Sequence, residues 1–166
     1  MSSSIYNQSA NQRDGRRLVS GRADAVKVAL FSTDQILIAS LTQALSDDGR
    51  FALKVTSFNT AGMGTWLLAY PADLAIVDLE PPTGTVLRVM SLITNLRPTT
   101  QMMALMSRRS LDSATVAVQA GAQSCLLKET CGSQDVIAAL NGLVAGANAI
   151  SPRIARVLIN RFRQLH

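Results

Sequence analysis

The feature that most narrows what this chain can fold into is an alternation. Five short β-favouring runs, VKVALF (26–31), FALKVTSF (51–58), LAIVD (74–78), QMMALM (101–106) and SCLLK (124–128), are separated by segments whose apolar residues recur at helical spacing. After the first run come Ile36, Leu37, Leu41 and Leu45, closed by Asp47, Asp48 and Gly49. Trp66, Leu67 and Leu68 mark a second helix that Pro71 stops, and a third runs from about Val86 to Leu96, ahead of Pro98. A fourth covers Leu111 to Ala120, and a fifth Asp135 to Ala145 with Ser133 as its expected cap. Each crossover helix must return its strand in the same direction. The pattern therefore predicts an α/β, doubly wound, five-stranded parallel sheet covered on both faces.

With 166 residues and 48% apolar content, the chain suits one domain with a full core. Residues 1–24 are polar, rich in Ser, Asn, Gln and Arg, and lack periodicity, which reads as a disordered tail. Residues 25–149 form the expected folded body and 150–166 an amphipathic helix. The longest nearly apolar stretch, Ile137 to Ile150, is shorter than the roughly 20 residues of a spanning helix, so no membrane partner is expected. The first residues lack the apolar block of a secretory signal, which points to the cytoplasm, with an Arg/Ser-rich transit peptide as the alternative. Cys125 and Cys131 match neither a zinc spacing nor a disulfide framework; both are expected reduced, Cys125 as a small core residue. The formal charge of +5 divides unevenly: +3 over residues 1–22, −2 over 23–149 and +4 over 150–166. A slightly acidic body argues against a phosphate-tracking surface there.

In doubly wound sheets, groups at the carboxyl ends of the strands converge on one crevice. That gathers Ser32, Thr33, Asp78, Met106, Ser107 and Lys128. Asp78 follows four apolar residues, where a buried strand emerges into a loop. A nucleotide site would want glycines after the first strand, and Ser32-Thr33-Asp34-Gln35 has none. A hydrolase using Asp78 as nucleophile would need a second acid or a metal. No enzyme activity is expected.

Three segments carry a resemblance. Asp78 is followed four residues later by Pro82, QAGAQSCLLK spans 119–128, and AISPRIARVL spans 149–158. Over about 26–166 the chain resembles the receiver domain of bacterial response regulators, in the subclass with a LuxR-type helix-turn-helix output domain. The resemblance implies a flavodoxin-like fold in which an aspartate accepts a phosphoryl group, helped by Mg²⁺ and a lysine. It makes Asp78 the phosphoacceptor position and Lys128 its charge partner. The acidic pair for Mg²⁺ falls on Ser32 and Thr33, the hydroxyl that reports the phosphoryl group on Met106, and the aromatic switch on Cys125.

Two neutral hydroxyls supply little of the charge Mg²⁺ needs. Without metal, a phosphoryl dianion meets roughly 4 kcal/mol of repulsion per pair of unit charges at about 4 Å, or about three orders of magnitude in rate. The expectation is a degenerate receiver: no metal, no cofactor, and Asp78 and Lys128 as a resting ion pair. One alternative is a working acceptor that uses Mg²⁺ with Asp34 and Glu80 as substitute ligands; the other is an interaction scaffold independent of phosphorylation. The partners implied are a second copy in a homodimer, a histidine kinase or other signalling protein, and DNA only through an attached output domain.

Ser151-Pro152 begins a helix well, as a capping hydroxyl followed by proline at the first helical position. Its stripe of Ile154, Val157, Leu158, Phe162 and Leu165 faces away from Arg153, Arg156 and Arg163. It can pack back on the body, form a dimer contact, or connect to an output domain. Arg108-Arg109 reads as a solvated loop near the crevice, Met102, Met103 and Met106 as core filling, and His166 as without a role.

Overall fold

The computed structural model describes residues 24–56, 61–80 and 83–165. The expected tail up to residue 23, the end of the second run at 57–58, Pro82 and His166 lie outside the described residues. The elements are β1 (Val26–Phe31), α1 (Gln35–Asp48), β2 (Phe51–Thr56), α2 (Met63–Ala69), β3 (Leu74–Asp78), α3 (Thr83–Leu96) and β4 (Gln101–Met106). A 3-10 turn (Arg108–Ser113) then leads into α4 (Ala114–Gln119), followed by β5 (Ala122–Leu127), α5 (Ser133–Val144) and α6 (Pro152–Leu165). The five strands are parallel in the order β2-β1-β3-β4-β5. The order reverses between β1 and β3, and the crevice opens there.

The pleat sorts the strand side chains into two cores. Phe31, Ala75, Val77, Ala104, Met106 and Cys125 pack with α2, α3, α4 and the start of α6. Val28, Leu30, Ile76, Met103, Leu105 and Leu126 pack on the other face with α1 and α5. β3 is buried at all five positions, as a central parallel strand covered on both sides must be. The three strand methionines are core residues, as expected.

Local signals explain most boundaries. The Asp34 carboxylate accepts from the amides of Ile36 and Leu37 and starts α1; Gly49, at φ 76°, ends it by donating to Leu45. Gly121 turns the chain from α4 into β5 at φ 113°, where a Cβ would lie 2.8 Å from the Met102 methyl. Two expectations need correction. The helix placed over 111–120 begins as a 3-10 turn, because the Ser107 hydroxyl accepts from Arg109 while Ser110 bonds back to the Ser107 amide. Ser133 is the first residue of α5 and not its cap: Gly132 holds that place, and its amide donates to the Asp135 carboxylate at 2.8 Å.

Beyond α5 the chain returns along the open edge of β5. Cys125 donates its amide to the Ala149 carbonyl and Ser151 donates to the Cys125 carbonyl, both at 2.9 Å, so that Ile150 bridges Cys125 in parallel. Two hydroxyls complete the strap. Ser124 Oγ accepts from Ala149, and Ser151 Oγ accepts from Leu127, each at 3.0 Å. An edge that would otherwise present unpaired backbone is thereby covered. The Ser151 hydroxyl serves β5 in this way, while its carbonyl accepts the first helical bond from Ala155. Pro152 opens α6, which packs over α4, with Ile154 fully buried and Val157 and Leu158 half-buried. Among the described residues no helix is long and apolar enough to cross a membrane.

Candidate functional site

Asp78 is the last residue of β3 and only 1% exposed. A carboxylate so placed needs partners for both oxygens. Lys128 Nζ lies 2.7 Å from Oδ1, and the Glu80 amide donates to the same oxygen at 3.1 Å. Oδ2 accepts from the Ser32 hydroxyl at 2.7 Å. Ser32 stands one residue past β1 and is itself buried; its oxygen accepts in turn from the Asp34 amide at 3.1 Å. Lys128 stands one residue past β5, and its amide donates to the Met106 carbonyl, which fixes where its side chain starts.

The crevice therefore does bring together Ser32, Asp34, Asp78, Glu80 and Lys128. Asp34 Oδ2 lies 3.8 Å from the ammonium and Glu80 Oε1 3.9 Å. Three carboxylates thus share one lysine, with the short contact going to Asp78. Thr33 is exposed beside the site. Ser107 caps the 3-10 turn through its bonds with Arg109 and Ser110. Arg108 and Arg109 are exposed, and the Arg108 amide donates to Glu129 at 3.0 Å, a bond that lowers the Glu129 carboxyl below the usual range.

A divalent cation would meet donors that are partly engaged already. Ser32 offers a neutral hydroxyl already engaged with Asp78, and Asp34 Oδ1 is held by the two amides that start α1. Among the described residues no three His, Cys, Asp or Glu side chains converge where a metal ion could sit. Magnesium demands near-ideal octahedral oxygens; Asp78 and Ser32 are engaged with each other and Asp78 with Lys128, while Asp34 Oδ2 and Glu80 Oε1 make only the long contacts to the ammonium.

Met106 ends β4 and Cys125 lies two residues before the end of β5, both fully buried in the core that contains Ile154. Burial pushes the Cys125 thiol up to about 11, so it stays a neutral core group. Neither residue offers a hydroxyl or an aromatic ring toward the crevice. The roles of Ser124, Ser151 and the Glu80 amide were missed in the sequence. A signal existed for Ser124: a serine that opens an apolar strand run is buried, and a buried hydroxyl must find a partner.

No protein-family model matches the chain, and no curated protein does. Solved structures do. The isolated receiver domain of RcsB from Salmonella enterica serovar Typhimurium, in the presence of the phosphomimetic BeF3−, is 15% identical, with TM-score 0.68 over 80% of this chain and 98% of its own. RcsB also matches as two dimers bound to two parallel DNAs, at 16% identity and TM-score 0.69, over 81% of this chain and 68% of that one. A LuxR-family two-component response regulator from Aurantimonas sp. SI85-9A1 is 16% identical, with TM-score 0.70 over 82% of this chain and 97% of its own. A CheY-like receiver domain protein from Methanospirillum hungatei JF-1 is 19% identical, with TM-score 0.63 over 74% and 95%. At these identities the likeness is one of fold: the chain has the flavodoxin-like fold of response-regulator receiver domains.

Proposed function

We propose that the chain is an atypical receiver module of two-component-type signalling and transcription control, impaired in phosphotransfer and acting through protein association. One observation carries this reading: both oxygens of Asp78 are committed, Oδ1 to Lys128 and the Glu80 amide, Oδ2 to Ser32. To attack phosphorus Asp78 must use the lone pair that Oδ2 keeps beside its Ser32 bond or give up a partner, and the incoming dianion here faces Asp34 and Glu80 as well. Lys128, the one ammonium on the site, already neutralises Asp78. With roughly 4 kcal/mol of repulsion per pair of unit charges and no metal to offset it, transfer slows by about three orders of magnitude.

The relay beyond the acceptor is absent in the same way. Met106 cannot close on a phosphoryl oxygen, and Cys125 has no ring to swing inward. Self-association belongs to the reading, as does DNA contact through an attached output domain; RcsB occurs as dimers bound to DNA. No catalytic turnover of a small substrate is part of it.

The test is mass spectrometry of the protein after incubation with Mg²⁺ and a small phosphodonor. The unmodified mass is expected. A stoichiometric gain of about 80 Da, one phosphoryl group, that disappears in Asp78→Asn would establish the opposite reading. In that reading Asp34 and Glu80, both within 4 Å of Lys128, would serve as replacement ligands.

A further inference from the structure

We propose that the solvent face of α6 is a docking strip for the phosphate backbone of duplex DNA, engaged without regard to base sequence. The inference goes beyond the association reading above and needs nothing from the crevice. At helical spacing, Arg153, Arg156, Asn160 and Arg163 fall within about 80° of one another around the axis of α6. All four are exposed. The other side of the helix is the one that packs: Ile154 is fully buried, and Val157 and Leu158 are half-buried against the core beneath. Holding that side down turns the three guanidiniums outward. Arg161 is not part of the strip, because it lines the groove toward α4 together with Asp112.

Little offsets this charge. From Val136 to His166 the chain has four arginines and no Asp or Glu. Among the described residues, Arg153, Arg156 and Arg163 have no ion-pair partner. From the first of them to the last the helix rises about 15 Å, and one DNA strand presents about four phosphates over that length. Each guanidinium can therefore reach a phosphate of its own, with the planar fork that suits phosphate oxygens.

The same face disfavours other anionic partners. A membrane surface takes up a helix through its apolar side, and here Ile154, Val157 and Leu158 are held on the body. Single-stranded nucleic acid is gripped by stacking on aromatic rings, and the strip carries none. An acidic protein would need an apolar centre for its interface; the residue among these arginines is Asn160, with Ile159 at the strip's edge.

The experiment uses the full chain and a fluorescent duplex of about 20 base pairs, read by anisotropy over a salt series. Competitors are an unlabelled duplex, poly-glutamate and anionic phospholipid vesicles, and a second labelled duplex has an unrelated sequence. Both labelled duplexes should bind equally. Arg156→Gln with Arg163→Gln should cut the slope of log K against log salt by about 1.8 and weaken binding at least about tenfold at low salt, with the melting temperature unchanged because both side chains are exposed. Arg16→Gln with Arg17→Gln removes the same charge from the N-terminal segment and should leave most of the slope. An equal loss in the two double variants would mean that net charge alone binds, and would overturn the proposal. So would an unchanged slope in the α6 variant, a strong preference between the duplexes, or displacement by poly-glutamate or vesicles at a lower charge concentration than by the unlabelled duplex. None of these readouts involves Asp78, so this proposal and the reading of the crevice fail separately.

Discussion

Asp78 and Lys128 form the short contact on which the crevice is organised, 2.7 Å long with the carboxylate 1% exposed. Breaking a buried pair from one side is far costlier than removing it whole, because the survivor keeps its desolvation penalty. Lys128→Ala should therefore cost about 3–5 kcal/mol in urea unfolding. The double variant with Asp78→Asn should lose clearly less than the two single losses added together; strict additivity would show that the pair does not couple. Cys125 gives a second prediction. Its thiol titrates near 11 in the fold against 9.0 when unfolded. The unfolded chain then releases its proton first as pH rises, so stability is unaffected below about pH 9 and falls by about 2 to 3 kcal/mol by pH 11. At pH 8 an alkylating reagent should modify half-buried Cys131 and leave Cys125 intact until denaturant is added.

The strap along β5 acts on whole elements. Ser124 and Ser151 each satisfy one backbone amide of the edge, Ala149 and Leu127, and an amide left unsatisfied in a buried site costs about 1–3 kcal/mol. Ser151→Ala should lower stability by that amount and selectively speed hydrogen exchange at Leu127, with the amides of β1 and β3 unchanged. Uniform acceleration across the sheet would mean that the strap is not a local device. The strands themselves were legible in the sequence because β3 and β4 are runs of buried residues bounded by loop residues, and Asp34 and Gly49 mark the ends of α1 by their own chemistry. The 3-10 start of the fourth helix was not, since it depends on the reciprocal Ser107 and Ser110 bonds rather than on apolar period. The Gly132 cap was hidden for a similar reason: its amide donates to the Asp135 carboxylate, three residues downstream. The return of residues 149–151 along β5 left no periodic trace, because it is a single bridge made by backbone atoms and two hydroxyls.

Across the molecule, topology does most of the gathering. Parallel strands in the order β2-β1-β3-β4-β5 bring Ser32, Asp78 and Lys128, 46 and 50 positions apart, to one end of the sheet, and strand-end logic applied to the sequence found all three. It did not reveal how fully they saturate one another, which requires side-chain distances. The fold is that of receiver domains, and the crevice holds a paired cluster of Asp78, Lys128 and Ser32. The most direct measurement is backbone-amide NMR of the ¹⁵N-labelled protein titrated with Mg²⁺, alone and with beryllofluoride. If the Asp78–Lys128–Ser32 cluster is closed, the amides of Asp78, Glu80, Met106 and Lys128 should stay in place through millimolar Mg²⁺ in both titrations. Saturable shifts at those amides that require Mg²⁺ and beryllofluoride together, and that vanish in Asp78→Asn, would contradict the account.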